Sequence, residues 1–383
     1  MQATRAIIHI DNFIGNLQAV RAKIGPNRAI CVPVKADAYG HGSIRIMRTA
    51  VEAGAAFAGV SSVTEGAELR SGGISCPIIL FSQPVFEEIP GILENQLVSF
   101  VSDEDFASEL GSRAAAMGMK AQVHLKINTG MGRMGVSSDA AVRLARHIAG
   151  CAGLEYAGTA THLACADSVA PDDIAWTRQQ LACFREALAE IRAAGLDPGI
   201  VHAANSGAVL IHPEAWFDMV RPGILLYGYK QIAGQQHSQP ENDGSAGDSG
   251  AVNVRPVMEM RTKIVFIRKV MPGESLSYGR TWHAPRKTVI GVLPLGYADG
   301  LPRLASNRWQ VSINGRLYPL AGRICMDQCM VDLGPETTVR RWDEASVFGG
   351  PAPDAAALAE IIGTIPYEIT CNVNKRVPRV YEG

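Results

Sequence analysis

From residue 29 onward, short apolar runs alternate with longer stretches of helical periodicity. The runs occupy 29–34 (AICVPV), 56–60 (AFAGV), 77–81 (PIILF), 97–101 (LVSFV), 121–127 (AQVHLKI), 155–162 (EYAGTATH), 199–203 (GIVHA) and 219–226 (MVRPGILL). Between them lie Ala-, Leu- and Arg-rich segments with helical spacing. The clearest covers 173–194 and stops at Gly195. Parallel neighbours in a sheet need a long crossover, so strand–helix alternation predicts a parallel sheet. Eight such units in succession predict an α/β fold of the (β/α)8 TIM-barrel type. A doubly wound sheet is the structural alternative.

Residues 231–252 are polar and rich in Gly and Ser, which reads as an exposed loop or linker. The pattern then changes to β-type runs: EMRTKIVFIRKV, KTVIGVLPLGYADG and WQVSINGRLYPLAGRICMDQCMVDLG. Pro272-Gly273 and Asn314-Gly315 mark turns between them, and Asn-Gly favours a tight hairpin. This half reads as a mainly antiparallel β domain, with a short helix over 353–363.

Composition narrows the function. The chain has 383 residues, 47% hydrophobic and 19% charged, enough for two domains with full cores. Lys and Arg number 36 against 37 Asp and Glu, so no overall basic field draws nucleic acid or an anionic membrane. Aromatics at 6% also weaken any base-stacking role. The eight Cys are dispersed without a Cys-x-x-Cys pair, and Cys325 and Cys329 have no second pair nearby. They read as reduced, mostly buried thiols, and no metal site is expected. Neither a leader pattern nor an apolar run of ~20 residues is present, so a cytoplasmic protein is expected.

The chemistry concentrates first in Val34-Lys35-Ala36-Asp37-Ala38-Tyr39-Gly40-His41-Gly42. A Lys closing the first barrel strand would stand on the face where such barrels carry their sites. Partial desolvation there lowers an amine's pKa and makes it usable. By spacing alone, a solvated surface Lys is the more common outcome.

VKADAYGHG resembles the cofactor-lysine segment of the alanine racemase family. Further blocks follow in family order: HLKINTGMGRMG (124–135), THLACAD (161–167), HAANSGA (202–208) and VRPGILLYGY (220–229). SLSYGRTW (275–282), PLGYADGLPR (294–303), AGRICMDQ (321–328) and KRVPRVY (375–381) complete the series. The resemblance covers nearly the whole chain. It implies a barrel over 11–235 and a β domain over 236–383 joined by the N-terminal strand 1–10. It also implies pyridoxal 5′-phosphate as cofactor and a homodimer with shared active sites.

Racemisation removes an α-proton from one face and returns one to the other, which two acid/base groups do most directly. The resemblance assigns these to Lys35, which also holds the cofactor, and to Tyr278, from the partner subunit. Without it, Tyr278 would read as a packed strand aromatic. Arg221 matches the residue facing the pyridine nitrogen, and a guanidinium there cannot accept a proton. That weakens the ring as an electron sink and disfavours a decarboxylase of similar fold. His162 resembles the His that contacts this Arg. Asn205, Ser206, Gly223 and Ile224 match the phosphate loops, with Tyr39 adding its phenol. Ser206 alone would read as a helix cap.

Arg133 and Met326 match residues at the substrate carboxylate, Met326 through its backbone N–H. Lys126, carbamylated in some members, supports Arg133. Tyr297 and Arg303 match the entrance, and Arg323 and Asp327 the surrounding polar network. Asn128 occupies a place often held by Asp, and Asp37 one often held by Asn. Lys375 stands where some members carry a phosphate-binding Tyr, so that role is not carried over. The implied activity is interconversion of L- and D-alanine for peptidoglycan. A serine, lysine or broad-range racemase is the alternative, and a non-enzymatic cofactor carrier is disfavoured by the second domain.

Overall fold

In the computed structural model, residues 2–230, 232 and 252–383 are described. The 231–252 segment, read as a loop from sequence, therefore lies outside the described residues except at 232 and 252. The strands in chain order are β1 (Arg5–His9), β2 (Ala29–Pro33), β3 (Phe57–Val60), β4 (Ile78–Leu80), β5 (Val98–Val101), β6 (Ala121–Asn128), β7 (Val136–Ser137), β8 (Leu154–Ala160), β9 (Ile200–His202) and β10 (Met219–Val220). Strands β2-β3-β4-β5-β6-β8-β9-β10 pair side by side, all parallel, and the ring closes by β10 on β2 and β5 on β6. The eight apolar runs thus form a closed (β/α)8 barrel.

Two boundaries differ from the sequence pattern. The run 219–226 is a strand only at Met219–Val220, because Pro222 lacks a ladder N–H and a turn begins at Ile224. The run 155–162 ends its strand at Ala160, leaving His162 free to face the barrel mouth. The long helix Pro171–Ala193 starts on a Pro at its first position, where no N–H is needed.

The second half contains β11 (Met258–Lys263), β12 (Phe266–Val270), β13 (Ser275–Leu276), β14 (Trp282–His283), β15 (Thr288–Leu293), β16 (Gln310–Ile313), β17 (Arg316–Pro319), β18 (Cys329–Gly334), β19 (Glu344–Phe348) and β20 (Arg379–Glu382). Antiparallel pairing dominates: β17-β16-β19-β11 continue into β1, and β12-β15-β18 form a second sheet. β1 lies between β11 and β20, parallel to β20. Asn314 and Gly315, both at positive φ, turn β16 into β17. A helix spans Ala355–Ile362, capped by Asp354, which accepts from Ala356 and Ala357 N–H at 3.0 Å. Sequence reading missed a further helix, Pro366–Cys371, which packs on the segment after β2.

Candidate active site

A cavity of about 250 Å³ opens at the C-terminal ends of the barrel strands. Its wall includes Lys35, Tyr39, Lys126, Arg133, His162, Asn205, Ser206, Arg221 and Gly223, drawn from five strand ends and the loops after them. Among the described residues of that wall, Asp167 is the one carboxylate, against four basic side chains. A site so charged suits an anionic ligand.

Lys35 lies two residues past the end of β2, and the next four residues adopt a left-handed turn. Ala36, Asp37, Ala38 and Tyr39 have φ of 51–54°. For non-glycine residues this costs roughly 1–2 kcal/mol each, so the surroundings must enforce it. They do so from several sides. Ala38 N–H donates to Val34 O at 2.8 Å, and Ser43 N–H to Asp37 Oδ1 at 2.8 Å. Arg379 Nε donates to Gly40 O at 2.9 Å. Gly40 sits so close to Thr370 that an added Cβ would lie 2.1 Å from its carbonyl oxygen. Beneath the turn, Tyr227 stacks on Tyr39 and His41 at 4.8 and 4.6 Å and donates to Pro33 O. Burial and then the Arg133 charge lower the Lys35 pKa, with Glu65 pulling the other way.

Across the cavity, Asn205 caps the helix Ser206–Ile211, accepting from Ala208 N–H at 3.0 Å. Ser206 is therefore not the cap. Its Oγ instead accepts from Gly223 N–H at 2.8 Å and Leu225 N–H at 3.3 Å, joining two loops. Gly223 leaves a cradle: an added Cβ would lie 2.7 Å from Tyr39 Oη. Ile224 is fully buried behind it, outside the cavity wall. Tyr367, which sequence reading passed over, also lines the cavity, its ring 5.6 Å from that of Tyr39. Lys375, by contrast, is not in the cavity wall.

Arg221 is buried, and burial lowers its pKa to about 10, leaving it charged at neutral pH. Nη2 donates to Thr161 O at 2.9 Å and Ala203 O at 3.1 Å, and lies 3.2 Å from His162 Nδ1. Nη1 lies 2.6 Å from Nδ1 of His202, a residue sequence reading missed. His202 in turn lies 2.8 Å from His124. Burial first, then Arg221, lowers the pKa of both His162 and His202 well below the usual value. Lys126 is buried with its amine 5.5 Å over the Phe100 ring, and burial holds its pKa well below that of a free amine. Asn128 Oδ1 accepts from Gly130 and Gly132 N–H at 3.1 and 3.0 Å, shaping the loop that carries Arg133.

The remaining sequence candidates form a second cluster on loops of the C-terminal half. Tyr278, Tyr297 and Met326 are 70%, 42% and 53% exposed. Ser277, at φ 62°, donates from Oγ to Arg323 O at 2.6 Å. The Arg323 guanidinium packs against Gly279, beside Tyr278. Ala298 N–H donates to Met326 O at 3.0 Å, tying the Tyr297 turn to the Met326 loop. Arg376 bridges Asp299 at 2.7 Å and Asp327 at 2.8 Å. Ser306, held by the Arg303 carbonyl, accepts from Ile324 N–H at 3.0 Å. None of Tyr278, Tyr297, Arg303, Arg323, Met326 and Asp327 is in the wall of the Lys35 cavity. Among the described residues no group of three or more His, Cys, Asp or Glu is placed to hold a metal. No described helix is long and apolar enough to cross a membrane.

Comparison with known proteins covers both halves. The family model for the alanine racemase N-terminal domain matches residues 8–231, and that for the C-terminal domain matches 257–381. An alanine racemase of Treponema denticola is 46% identical over 387 residues, covering 100% of this chain and 98% of that protein. One from Desulforamulus reducens is 40% identical over 380 residues, covering 99% and 98%. The crystal structure of alanine racemase from D-cycloserine-producing Streptomyces lavendulae superposes with a TM-score of 0.88 at 35% identity, covering 100% of this chain and 98% of that one. Alanine racemase of Clostridium difficile 630 gives 0.90 at 32% identity, covering 100% and 96%. With a barrel cavity and a loop-rich β domain both aligned end to end, the chain belongs to the alanine racemase family.

Proposed function

We infer that this chain interconverts L- and D-alanine, with pyridoxal 5′-phosphate at Lys35 and a homodimer as the working unit. The observation that carries the reading is the cavity itself: the desolvated Lys35 amine opposite a hydroxyl-and-glycine cradle, with Arg133 and Arg221 in the same wall. That donor set fits the cofactor. Ser206, Tyr39 and Tyr367 offer hydroxyls around the Gly223 cradle for a phosphate, with Asn205 and the Ile224 backbone behind them. Arg221 offers only donors, which suits an unprotonated pyridine nitrogen, and His162 lies beside it in the wall.

When bound, the cofactor would supply an electron-withdrawing ring that acidifies the substrate's Cα–H bond. Lys35 takes or returns the proton on one face, and burial and the Arg133 charge favour the neutral amine that this needs. Tyr278 of the partner subunit serves the opposite face. Arg133, supported by Lys126, pairs with the substrate carboxylate, and the Met326 backbone N–H of the partner's loop completes that site. Tyr297 and Arg303 frame the entrance, with Arg323 and Asp327 ordering the loops around them. The family arrangement would assign 11–235 to cofactor binding and 236–383, joined by the N-terminal segment 1–10 that carries β1, to the domain reaching the neighbouring site. In the cell the product would supply peptidoglycan precursors from the cytoplasm. The relatives reported above all carry the alanine name, and none supports a serine or lysine racemase.

The test is optical. Purified protein supplied with pyridoxal phosphate should show a visible absorption band, and borohydride should label Lys35. Pure L-alanine should lose rotation and D-alanine appear. A colourless protein with rotation preserved would overturn the reading, and faster turnover of serine or lysine would overturn the substrate.

A further inference from the structure

Glu65 lies on the helix Val63–Ser71, away from the cavity wall, yet both oxygens of its carboxylate are committed behind Lys35. Oε1 accepts from Ala36 N–H at 2.7 Å, and Oε2 from Ser61 N–H at 2.7 Å. Ala36 is the first residue of the left-handed turn, and Ser61 the first after β3. β2 and β3 are adjacent parallel strands, with Pro33 opposite Gly59. One carboxylate therefore staples two neighbouring strand ends at the point where Lys35 leaves the barrel. The local helix start does not account for this. Ser62 caps the helix by accepting from Glu65 N–H, but the carboxylate does not return to Ser62 as in a capping box. It reaches one residue further back and across to the next strand.

We propose that Glu65 is a positioning residue for the reaction: it fixes the strained peptide after Lys35 and so holds the amine in the cavity. This rests on the role assigned to Lys35 above. The chemistry of the staple is specific to a carboxylate. Two N–H donors need two acceptor oxygens, and an amide offers one acceptor and one opposing donor. Gln at 65 thus keeps the shape but loses one arm. Glu65 also raises the Lys35 pKa through its charge, against burial and the Arg133 cation, and Cys371 acts in the same direction as Glu65.

The test uses Glu65→Gln and Glu65→Ala in the full chain. In cofactor-free protein, amide exchange should quicken roughly tenfold at both Ala36 and Ser61 in Glu65→Ala and at one of the two in Glu65→Gln, the scale of a lost hydrogen bond to a charged group. Exchange in the rest of the barrel should not change. The apparent pKa of Lys35, followed by pH-dependent reductive methylation and peptide mapping, should fall, since an anion favouring its charged form has gone. In the cofactor-loaded enzyme kcat should drop more than KM. Unchanged exchange at both Ala36 and Ser61, with unchanged Lys35 titration, would overturn the proposal. Uniformly faster exchange across the barrel would also overturn it, by showing a general loss of stability. If the Ala variant does not fold, the isosteric Gln variant decides alone. The exchange and titration readouts need no turnover, so they stand or fall separately from the alanine reading.

Discussion

Arg221 donates from Nη1 to Nδ1 of His202 across 2.6 Å, and a guanidinium can only donate. His202 must therefore carry its proton on Nε2, which donates to His124 Nδ1 at 2.8 Å. His124 is by the same logic an Nε2–H tautomer. A proton added to either ring would face a donor with a donor, so both imidazoles are neutral. The chain fixes the guanidinium from below while Nη2 is held by Thr161 O and Ala203 O. His202→Leu should leave a buried cation short of an acceptor. The expected result is a loss of about 2–4 kcal/mol in stability and at least a tenfold fall in kcat/KM. His202→Gln, which can still accept, should recover part of both. Thermal unfolding and polarimetry of the two variants check this.

The same burial sets the acid limit of stability. Burial is the leading cause of lowered pKa at His41, His124, His162 and His202, to about 4 at His41 and about 3 at His124. Unfolded, each titrates near ~6.5. Below that pH the unfolded chain binds protons that the folded chain refuses. Stability from these groups is complete above about pH 6.5 and is lost as pH falls toward the folded values. With all four contributing, the limiting slope is roughly 5 kcal/mol per pH unit. Urea unfolding between pH 5 and 8 should show this decline, and His124→Gln should remove about one proton from the slope. A slope identical to the parent's would contradict the assignment.

Gly223 supplies a test of the cradle that leaves charge untouched. A Cβ there would lie 2.7 Å from Tyr39 Oη and 3.8 Å from Ser206 Oγ. Gly223→Ala should displace the phenol and fill the space between the two hydroxyls. Overpacking of this kind costs about 1–3 kcal/mol, so the dissociation constant for pyridoxal phosphate should rise roughly tenfold or more. A visible-absorbance titration measures it. Affinity equal to the parent's would place the phosphate elsewhere.

How far the sequence could lead differs between fold and site. The eight apolar runs marked the barrel because parallel strands buried on both faces leave unbroken hydrophobic stretches. Pro222 and Gly223 hid the true end of the last strand, since the apolar run continues past the point where the ladder stops. Lys35 was visible as a basic residue closing a strand, but its left-handed turn was not. Ala36, Asp37, Ala38 and Tyr39 carry no glycine signal, and long-range contacts to Glu65, Arg379 and Thr370 impose the conformation. His124 and His202 sit at inward strand positions and read as ordinary core until Arg221 is placed beside them. Tyr367 reaches the cavity only because a helix more than 330 residues after β2 packs back on the turn that follows that strand.

Tyr278 offers the sharpest test of shared sites. It is 70% exposed on a turn anchored by Ser277 and Arg323, and it does not enter the wall of its own chain's cavity. Tyr278→Phe should leave thermal stability within about 0.5 kcal/mol of the parent, as an exposed position allows. Racemisation should fall by roughly 10²-fold or more in both directions, the scale of a lost acid/base group. Lys35→Ala should be inactive for the complementary reason. If each site takes Lys35 from one subunit and Tyr278 from the other, mixing the two inactive variants regenerates one intact site in every mixed dimer. Random exchange makes half the dimers mixed, so activity should return to roughly a quarter of the parent's. No recovery after verified subunit exchange would mean that both residues act within one chain. A monomer with full activity would remove the dimer from the mechanism altogether.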